Sequence, residues 1–248
     1  MQVVGLSNPG RERSRNEDSY LVRSEGTFSL LAVADGMGGH VAGDVASALA
    51  VATLERCWDD MNREELSRQQ MTAVVRNMIN EANQSILAKS AGDAGMQGMG
   101  TTLTVALLHG RNLALGHVGD SRAYLIEGNE IKLLTEDHSL VEQLIQQGSV
   151  TPEEAQMHPQ RHILTRALGT SSAEIDLMEL TVPENSSLLL CTDGLTTLVQ
   201  DDEILDIILT SQSDPRSAAA ALINLANERG GFDNITVVLA TGIGRHTG

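Results

Sequence analysis

Short aliphatic runs that recur along the chain constrain its fold more than any other feature of the sequence. Most of them end at a small or an acidic residue. Apolar runs of this length, bounded by turn-forming residues, are typical of β-strands. The sequence therefore predicts six strands, over residues 28–34, 102–108, 113–118, 123–126, 187–191 and 235–240.

Helical patterns separate these runs. In the first of them, apolar residues from Val45 to Ala52 recur at three- and four-residue spacing, which produces the single buried stripe of a helix that packs on a sheet. Residues 139–148 and 151–169 are helical in pattern but irregular. Regular helices are predicted at about 42–58, 64–90, 202–210 and 215–229.

The order of the elements indicates the fold class. Strands come in hairpin-like groups at about 102–134 and 180–192, while helices come in adjacent pairs, which favours antiparallel sheets covered by helical layers over a parallel sheet with crossover helices. The chain has 248 residues, enough for one sizeable core, and neither a repeat nor a linker-like segment marks a boundary. We therefore expect a layered α+β fold in a single domain over residues 1–248.

The net charge and the cysteine content limit the partners and the cellular compartment that we expect for this chain. With 17 Lys and Arg against 33 Asp and Glu, the net charge of −16 repels nucleic acid and anionic lipid, so we expect neither as a partner. Cys57 and Cys191 form no CxxC pair, which indicates a reducing compartment. The N-terminus lacks the apolar stretch of a signal peptide, and no apolar run approaches the ~20 residues that span a bilayer, so we expect a cytoplasmic protein.

Four aspartates share one context, beside an aliphatic run and a glycine: Asp35, Asp120, Asp193 and Asp233. A charge at the end of a buried strand is costly unless it meets a cation. Carboxylates and backbone carbonyls suit Mg²⁺ or Mn²⁺, whereas zinc or copper would want His or Cys. Any one of these sites alone is explained by an ordinary turn. Four together indicate a site for two divalent ions.

Arg13 precedes Asp18 by five residues in the segment RSRNED. A guanidinium binds phosphate oxygens bidentately, so an arginine near a dication site indicates a phosphoryl substrate. The alternative is a solvated charge run. Other reaction classes lack their motifs, since the sequence contains no GxxxxGK[ST], HExxH or GxSxG pattern.

Seven short motifs follow one another along the chain. They are RxxNED at 13–18, VADGMGGH at 33–40, GMGTTL at 98–103, GHVGDSRAYL at 116–125, LTEDHS at 134–139, CTDGL at 191–195 and GGFDNITVVL at 230–239. In this order they resemble the metal-dependent serine/threonine protein phosphatases of the PPM, or type-2C, class in their compact bacterial form, and the resemblance runs from Gly5 to Ala240. It implies a four-layer α-β-β-α sandwich, in which helix pairs flank two antiparallel sheets.

The resemblance also implies a set of ligands for two core Mn²⁺ or Mg²⁺ ions and a third, weaker ion. Asp35 would bridge the core ions, and the backbone carbonyl of Gly36 would bind the second. Asp193 and Asp233 would hold the first. The third ion would lie near Asp120 and share Asp193.

A mechanism follows from this resemblance. Asp18 would reach the second ion through water, and Arg13 would grip the phosphate. A water activated by the two ions would attack phosphorus in line, without a phosphoenzyme. The proton for the leaving oxygen would come from water on the third ion or from His40, for which the alternative is a cap beside Asp44 at a helix start.

The remaining histidines and threonines of the motifs have plainer interpretations. We interpret His138 as a structural turn residue and His117 as a packed core residue. Thr101 and Thr102 are expected to shape the start of a strand rather than to bind substrate.

Residues from about 144 to 169 correspond to the flap of the family, a variable insert beside the active site. Arg161, His162 and Arg166 are polar residues suited to contacting a protein substrate, although an ordinary surface loop is the alternative. His162 stands where relatives often have Asn, and Phe232 stands where they often have Pro, so the details of substrate contact are expected to differ.

The resulting hypothesis is a Mn²⁺- or Mg²⁺-dependent phosphatase, a monomer that acts on phosphoserine and phosphothreonine in proteins. It would reverse a bacterial Ser/Thr kinase of the eukaryotic-like type. The alternative is a non-catalytic, phosphoprotein-binding regulatory module that keeps the same fold. Intact Asp35, Asp193 and Asp233 argue against that alternative.

Overall fold

Two antiparallel sheets lie face to face, and a pair of long helices covers the outer side of each. The computed structural model describes residues 1–38, 42–63, 66–170, 173–211 and 214–245. The strands of these residues are β1 (Gln2–Asn8), β2 (Asp18–Glu25), β3 (Phe28–Met37), β4 (Gly100–Thr101), β5 (Leu103–His109), β6 (Asn112–Val118), β7 (Arg122–Glu127), β8 (Glu130–Leu133), β9 (Asp176–Thr181), β10 (Ser186–Cys191) and β11 (Ile235–Ile243).

The helices of the same residues differ widely in length, from one turn to seven. They are α1 (Gly43–Asp60), α2 (Arg68–Gly92), α3 (Leu140–Gln146), α4 (Pro152–Gln156), α5 (Asp193–Thr196), α6 (Asp201–Thr210) and α7 (Pro215–Glu228). None of the helices in the described ranges is both long and apolar enough to cross a membrane.

The first sheet has the strand order β2-β3-β5-β6-β9, with β4 paired to the end of β3. Successive side chains of a strand point to opposite faces, so β3 serves two cores at once. Leu30, Ala32 and Ala34 pack under α1 and α2. Leu31 and Val33 point the other way, toward the second sheet. This explains why the run contains no polar residue from Leu30 to Ala34.

The second sheet has the order β1-β11-β10-β7-β8 and is built by the same alternation. Leu189 and Cys191 of β10 pack against the core that α6 and α7 cover. Leu188 and Leu190 fill the layer between the two sheets. The expected four-layer α+β sandwich of antiparallel sheets is therefore confirmed.

The structure differs from the sequence predictions at the edges. The strands β1, β2 and β4 were not predicted. The strand β8 lies within the predicted group at 102–134 without a run of its own, and β9 overlaps the group at 180–192 only at its end. In β2, only Asp18 and Leu21 are buried, because this edge strand covers one face alone. The helix predicted from 64 begins at Arg68, where Ser67 forms a capping box with Gln70; residues 64 and 65 lie outside the described residues.

Candidate active site

The four aspartates that the sequence singled out come together at one end of the sandwich. Asp35 lies near the end of β3 and Asp120 follows β6, both in the first sheet. Asp193 follows β10 and Asp233 precedes β11, both in the second sheet. All four line one cleft of about 860 Å³. Stacking two sheets therefore brings together carboxylates that are far apart in the chain.

Asp35 is held through its backbone, which leaves its carboxylate available. Its N–H donates to Thr102 Oγ1 at 2.9 Å. Its carbonyl oxygen accepts from the Thr101 hydroxyl and from the Thr102 N–H, both at 2.8 Å. Thr101 and Thr102 therefore hold the backbone of Asp35 in place near the end of β3, in agreement with their interpretation as residues that shape a strand start.

Asp18 lies directly across from Asp35 in the pairing of β2 with β3. Its Oδ2 accepts hydrogen bonds from the hydroxyls of Thr192 at 2.8 Å and Thr236 at 2.6 Å. Its Oδ1 is buried and meets no hydrogen-bonding group among the described residues. Burial raises the pKa of Asp18 to about 7, against the two hydroxyl donors, which lower it, and the negative charges of Asp193 and Asp233 raise it further.

Asp193 begins the one-turn helix α5, directly after Thr192. Its Oδ1 is likewise buried and unpartnered within the part of the chain that the structure describes. Burial raises the pKa of Asp193, and so does the charge of Asp233, while a hydrogen bond with the Asp35 side chain lowers it.

The pKa values of Asp35 and Asp120 also lie well above their usual range. Burial is the largest cause for both. For Asp35 the next cause is the negative charge of Asp18, and for Asp120 it is that of Asp193. Several carboxylates that are buried together and repel one another are stabilised by a cation, so the donor set fits one or more divalent ions.

The arrangement is an acidic cluster and not a closed cage. In the ranges that the structure describes, no three His, Cys, Asp or Glu side chains are spaced to hold a metal ion as they stand. The fit to a divalent cation rests on the donor chemistry and on the two buried carboxylate oxygens of Asp18 and Asp193.

Gly36 follows Asp35 in the cleft wall and has no room for a side chain. A Cβ at this position would lie 2.1 Å from the Gly43 carbonyl oxygen and 2.7 Å from that of Glu17. The Gly36 N–H donates to the Glu17 carbonyl oxygen at 3.2 Å. Glycine is required here because β3, the start of α1 and the segment before β2 approach one another closely.

Arg13 lies at the mouth of the cleft. Its Nη2 is 2.8 Å from Asp233 Oδ2, and about half of the arginine side chain is exposed. Arg13 and Asp233 are 220 positions apart in sequence, and the fold brings the arginine to the rim of the acidic cluster.

Asn234 is a site residue that the sequence reasoning missed. Its Nδ2 donates to the carbonyl oxygens of Pro9 at 2.9 Å and Arg15 at 2.8 Å. Its Oδ1 accepts from the Glu17 N–H at 2.7 Å. One buried amide thus clamps the segment that carries Arg13 beside Asp233. The available signal was its place in the motif GGFDNITVVL, next to a predicted ligand.

Two predicted structural histidines are confirmed as structural by their contacts. His117 is buried, with Nδ1 2.9 Å from Thr104 Oγ1 and Nε2 3.0 Å from the Glu136 carbonyl oxygen. Burial lowers the pKa of His117 to about 4. His138 is also buried and bonds to Gly119 and Asp176 rather than lining the cleft. His40 lies outside the described residues.

The flap residues divide into two groups. His162 lines the cleft together with Leu164. Arg161 is exposed and reaches only the backbone of its own turn, and Arg166 forms ion pairs with Glu174 at 3.4 Å and Asp176 at 2.8 Å. Neither arginine is part of the cleft lining, and their contact with a protein substrate stays a prediction.

Comparisons with known proteins agree with this geometry. A family model described as Protein phosphatase 2C matches residues 10–228. The serine/threonine phosphatase stp of Listeria welshimeri is 40% identical over 241 residues, which cover 96% of this chain and 95% of that protein. The crystal structure of the Mycobacterium tuberculosis serine/threonine phosphatase PstP/Ppp has a TM-score of 0.87 at 39% identity and 97% coverage of both chains. The catalytic domain of PstP in complex with two manganese ions has a TM-score of 0.85 at 38% identity, again over 97% of both chains.

Proposed function

The chain belongs to the protein phosphatase 2C family, and from this premise we propose that the acidic cleft is its hydrolytic site. The protein is a metal-dependent serine/threonine protein phosphatase. One observation carries the assignment of the site. Aspartates at the ends of strands from both sheets meet in a single cleft, and two of the carboxylates around it, those of Asp18 and Asp193, each keep a buried oxygen that meets no hydrogen-bonding group of the described residues.

Two core Mn²⁺ or Mg²⁺ ions would be held by the residues at the ends of the strands. We assign Asp35 as the bridging ligand, the Gly36 carbonyl to the second ion, and Asp193 and Asp233 to the first. Asp18 pairs with Asp35 across β2 and β3 and keeps a buried Oδ1 without a partner among the described residues, and it would support the second ion through water. These assignments agree with the preference of both cations for oxygen ligands.

A third, weaker ion is a separate proposal. Asp120 lines the same cleft, and the charge of Asp193 raises its pKa, so the two carboxylates lie close enough to repel each other. A cation between them would remove that repulsion. This shared position supports a site that fills only at higher metal concentration.

The chain's own groups position the phosphoryl ester. Divalent cations, when bound, lower the pKa of water and offset negative charge on phosphoryl oxygens. Arg13 presents its guanidinium at the mouth of the cleft, where it can hold two phosphoryl oxygens once it leaves Asp233. Asn234 keeps the segment of Arg13 in place. His40 is retained as the candidate donor of the leaving-group proton.

The test is hydrolysis of p-nitrophenyl phosphate and of a phosphothreonine peptide by the purified protein, with Mn²⁺, Mg²⁺, Ca²⁺ or a chelator. We expect turnover only with Mn²⁺ or Mg²⁺, and its loss in Asp193→Asn. The matched control is Asp206→Asn on the exposed face of α6, which keeps the same loss of charge away from the cleft. Unchanged turnover in Asp193→Asn would contradict the assignment of Asp193 as a ligand.

The non-catalytic alternative is not favoured, because the three acidic residues that it would be expected to lose all line the cleft. Metal binding without turnover of either compound would revive it. We further propose that the substrates are phosphorylated proteins and that a bacterial Ser/Thr kinase supplies them. The protein would act as a cytoplasmic monomer, without nucleic-acid or membrane partners, and its flap, at about 144–169, would belong to a single catalytic domain over 1–248.

A further inference from the structure

His138 connects two parts of the molecule that the proposed function uses separately. On one side lies the loop that carries Asp120, and on the other lies the end of the flap. We propose that His138 is a positioning residue with two independent arms, one that sets the Asp120 loop for metal binding and one that holds the flap over the cleft for a protein substrate. This inference rests on the proposed function of Asp120 as a metal ligand.

The first arm is a reciprocal pair of hydrogen bonds with Gly119. The His138 N–H donates to the Gly119 carbonyl oxygen at 2.7 Å, and the Gly119 N–H donates to His138 Nδ1 at 3.0 Å. Gly119 has a φ of +116°, and a Cβ there would lie 2.5 Å from Thr102. The Gly119 N–H, which lies one residue before Asp120 in this unusual backbone conformation, therefore has its acceptor in the imidazole of His138.

The second arm is the opposite ring nitrogen. Because Nδ1 accepts a hydrogen bond from the Gly119 N–H and so carries no proton, Nε2 carries the proton and donates to Asp176 Oδ2, at 3.1 Å. Arg166 Nη1 lies 3.2 Å from the same Nε2, and since both nitrogens carry protons, Asp176 is the acceptor that they share. Asp176 Oδ1 accepts from Arg166 Nη1 at 2.8 Å. Arg166 belongs to the end of the flap, so an ionic contact on β9 ties the flap to a buried ring.

The backbone around His138 reinforces the second arm. The Thr165 N–H donates to the His138 carbonyl oxygen, and the Leu140 N–H donates to the Ile163 carbonyl oxygen, both at 2.8 Å. Ser139 and Leu164 form an antiparallel bridge between these two bonds. Leu164 lines the cleft, so this short ladder sets how far the flap reaches over the cleft.

Two substitutions at position 138 separate the arms. His138→Asn keeps an acceptor near the place of Nδ1 but does not reach Asp176, whereas His138→Leu removes the hydrogen bonds of both ring nitrogens and leaves only the backbone bond to Gly119. Mutating a residue that orients a metal ligand typically lowers metal affinity 10- to 100-fold. We therefore expect the Mn²⁺ affinity of the Asp120 site, measured by calorimetry without substrate, to fall about tenfold in His138→Leu. We expect His138→Asn to bind Mn²⁺ like the wild type.

Asp176→Ala cuts the second arm alone. We expect KM for a phosphothreonine peptide to rise several-fold, while kcat, KM for p-nitrophenyl phosphate and Mn²⁺ affinity stay at wild-type values, because the small ester lacks the peptide that the flap would hold. His138→Asn should give the same pattern, and the double variant should be no worse than either single one. His109→Asn, at the far end of β5 where it stacks on Phe28, is the matched control.

Hydrogen exchange of the Gly119 amide gives a readout that does not depend on activity. It should be faster in His138→Leu and unchanged in His138→Asn. The proposal is overturned if His138→Leu keeps both the protection of Gly119 and the Mn²⁺ affinity of the wild type. It is also overturned if Asp176→Ala weakens Mn²⁺ binding as much as His138→Leu does.

If the proposed function is wrong, the same experiments give a different set of results. If Asp120→Asn binds Mn²⁺ like the wild type, the metal role of Asp120 is wrong, yet faster exchange of Gly119 in His138→Leu still supports the first arm. If the wild type hydrolyses no phosphoester, the kinetic split is lost and the proposed function fails. Gly119 exchange then decides the first arm by itself.

Discussion

Two clusters of charged side chains contrast in how their charges are paired. In the cleft, the charges of Asp18 and Asp193 raise the pKa of Asp35, and the charge of Asp193 also raises that of Asp18. Asp233 forms an ion pair with Arg13 at the rim. In the second cluster, Arg122 donates three hydrogen bonds to Asp137, at 2.7 to 3.2 Å. The hydroxyl of Tyr124 extends this cluster to Asp201 at 3.0 Å.

The contrast separates a structural cluster from a functional one. The Arg122 cluster satisfies its charges within the chain, so it ties β7 to the segment after β8 and to α6. The cleft leaves carboxylate charge unsatisfied, which costs stability in the free chain and is recovered when a cation binds. Substitutions should therefore act on activity in one cluster and on stability in the other.

Asp35→Asn should produce the largest effect. Turnover of p-nitrophenyl phosphate should fall at least about 1000-fold, equivalent to about 4 kcal/mol in the barrier. In chelator, however, the free energy of unfolding in urea should rise slightly, because one of several repelling charges is removed. Reduced stability together with lost activity would place Asp35 in the structural class instead.

Asp137→Asn should have the opposite profile. Removing one partner of a largely buried ion pair leaves Arg122 without compensation, so the free energy of unfolding should fall by about 3 kcal/mol. Turnover per folded molecule should change little. Urea denaturation measures the first effect, and Asp206→Asn controls for the change in net charge. A loss of activity at unchanged stability would count against the distinction.

The buried His117 should make the stability of the fold depend on pH. Burial, followed by the charge of His138, lowers the pKa of His117 from 6.5 to about 4. Between these values the unfolded chain binds more protons than the folded one, so stability is full above pH 6.5 and declines as the pH falls toward 4. At about 1.4 kcal/mol per pKa unit, we expect the wild type to lose about 3 kcal/mol of stability relative to His117→Gln over that window, by urea denaturation in chelator. Parallel curves for the two proteins would refute it.

Thr236→Val should have the smallest effect. It removes one of two hydroxyls that donate to the buried Asp18 carboxylate, which should lower the free energy of unfolding by about 1 kcal/mol in chelator. Thr241→Val, on the same strand, is the matched control. Equal losses in the two variants would mean that the Thr236 hydroxyl does not stabilise Asp18.

The strand-end aspartates were predictable from the sequence because each one lies beside an aliphatic run and a glycine. The core strands β3, β5, β6, β10 and β11 were also predictable, since both of their faces are buried. The strand β2 was not, because an edge strand with one buried face carries polar residues along most of its length.

The residues that support the site could not be predicted from the sequence. Thr192 and Thr236 meet Asp18 only after the sheets stack, and Asn234 finds its partners in a segment more than 200 positions away. The ion pairs of Arg166 with Glu174 and Asp176 were likewise not predicted. Long-range pairing of this kind leaves no local pattern to read.

The contact of Arg13 with Asp233 spans 220 positions and depends on the pairing of β1 with β11. During synthesis, the phosphate-facing arginine would leave the ribosome long before the strand that places its partner. Closing so long a loop is a late event in folding. A partly made chain therefore cannot assemble the cleft, so hydrolysis should begin only when the last strand has joined the sheet.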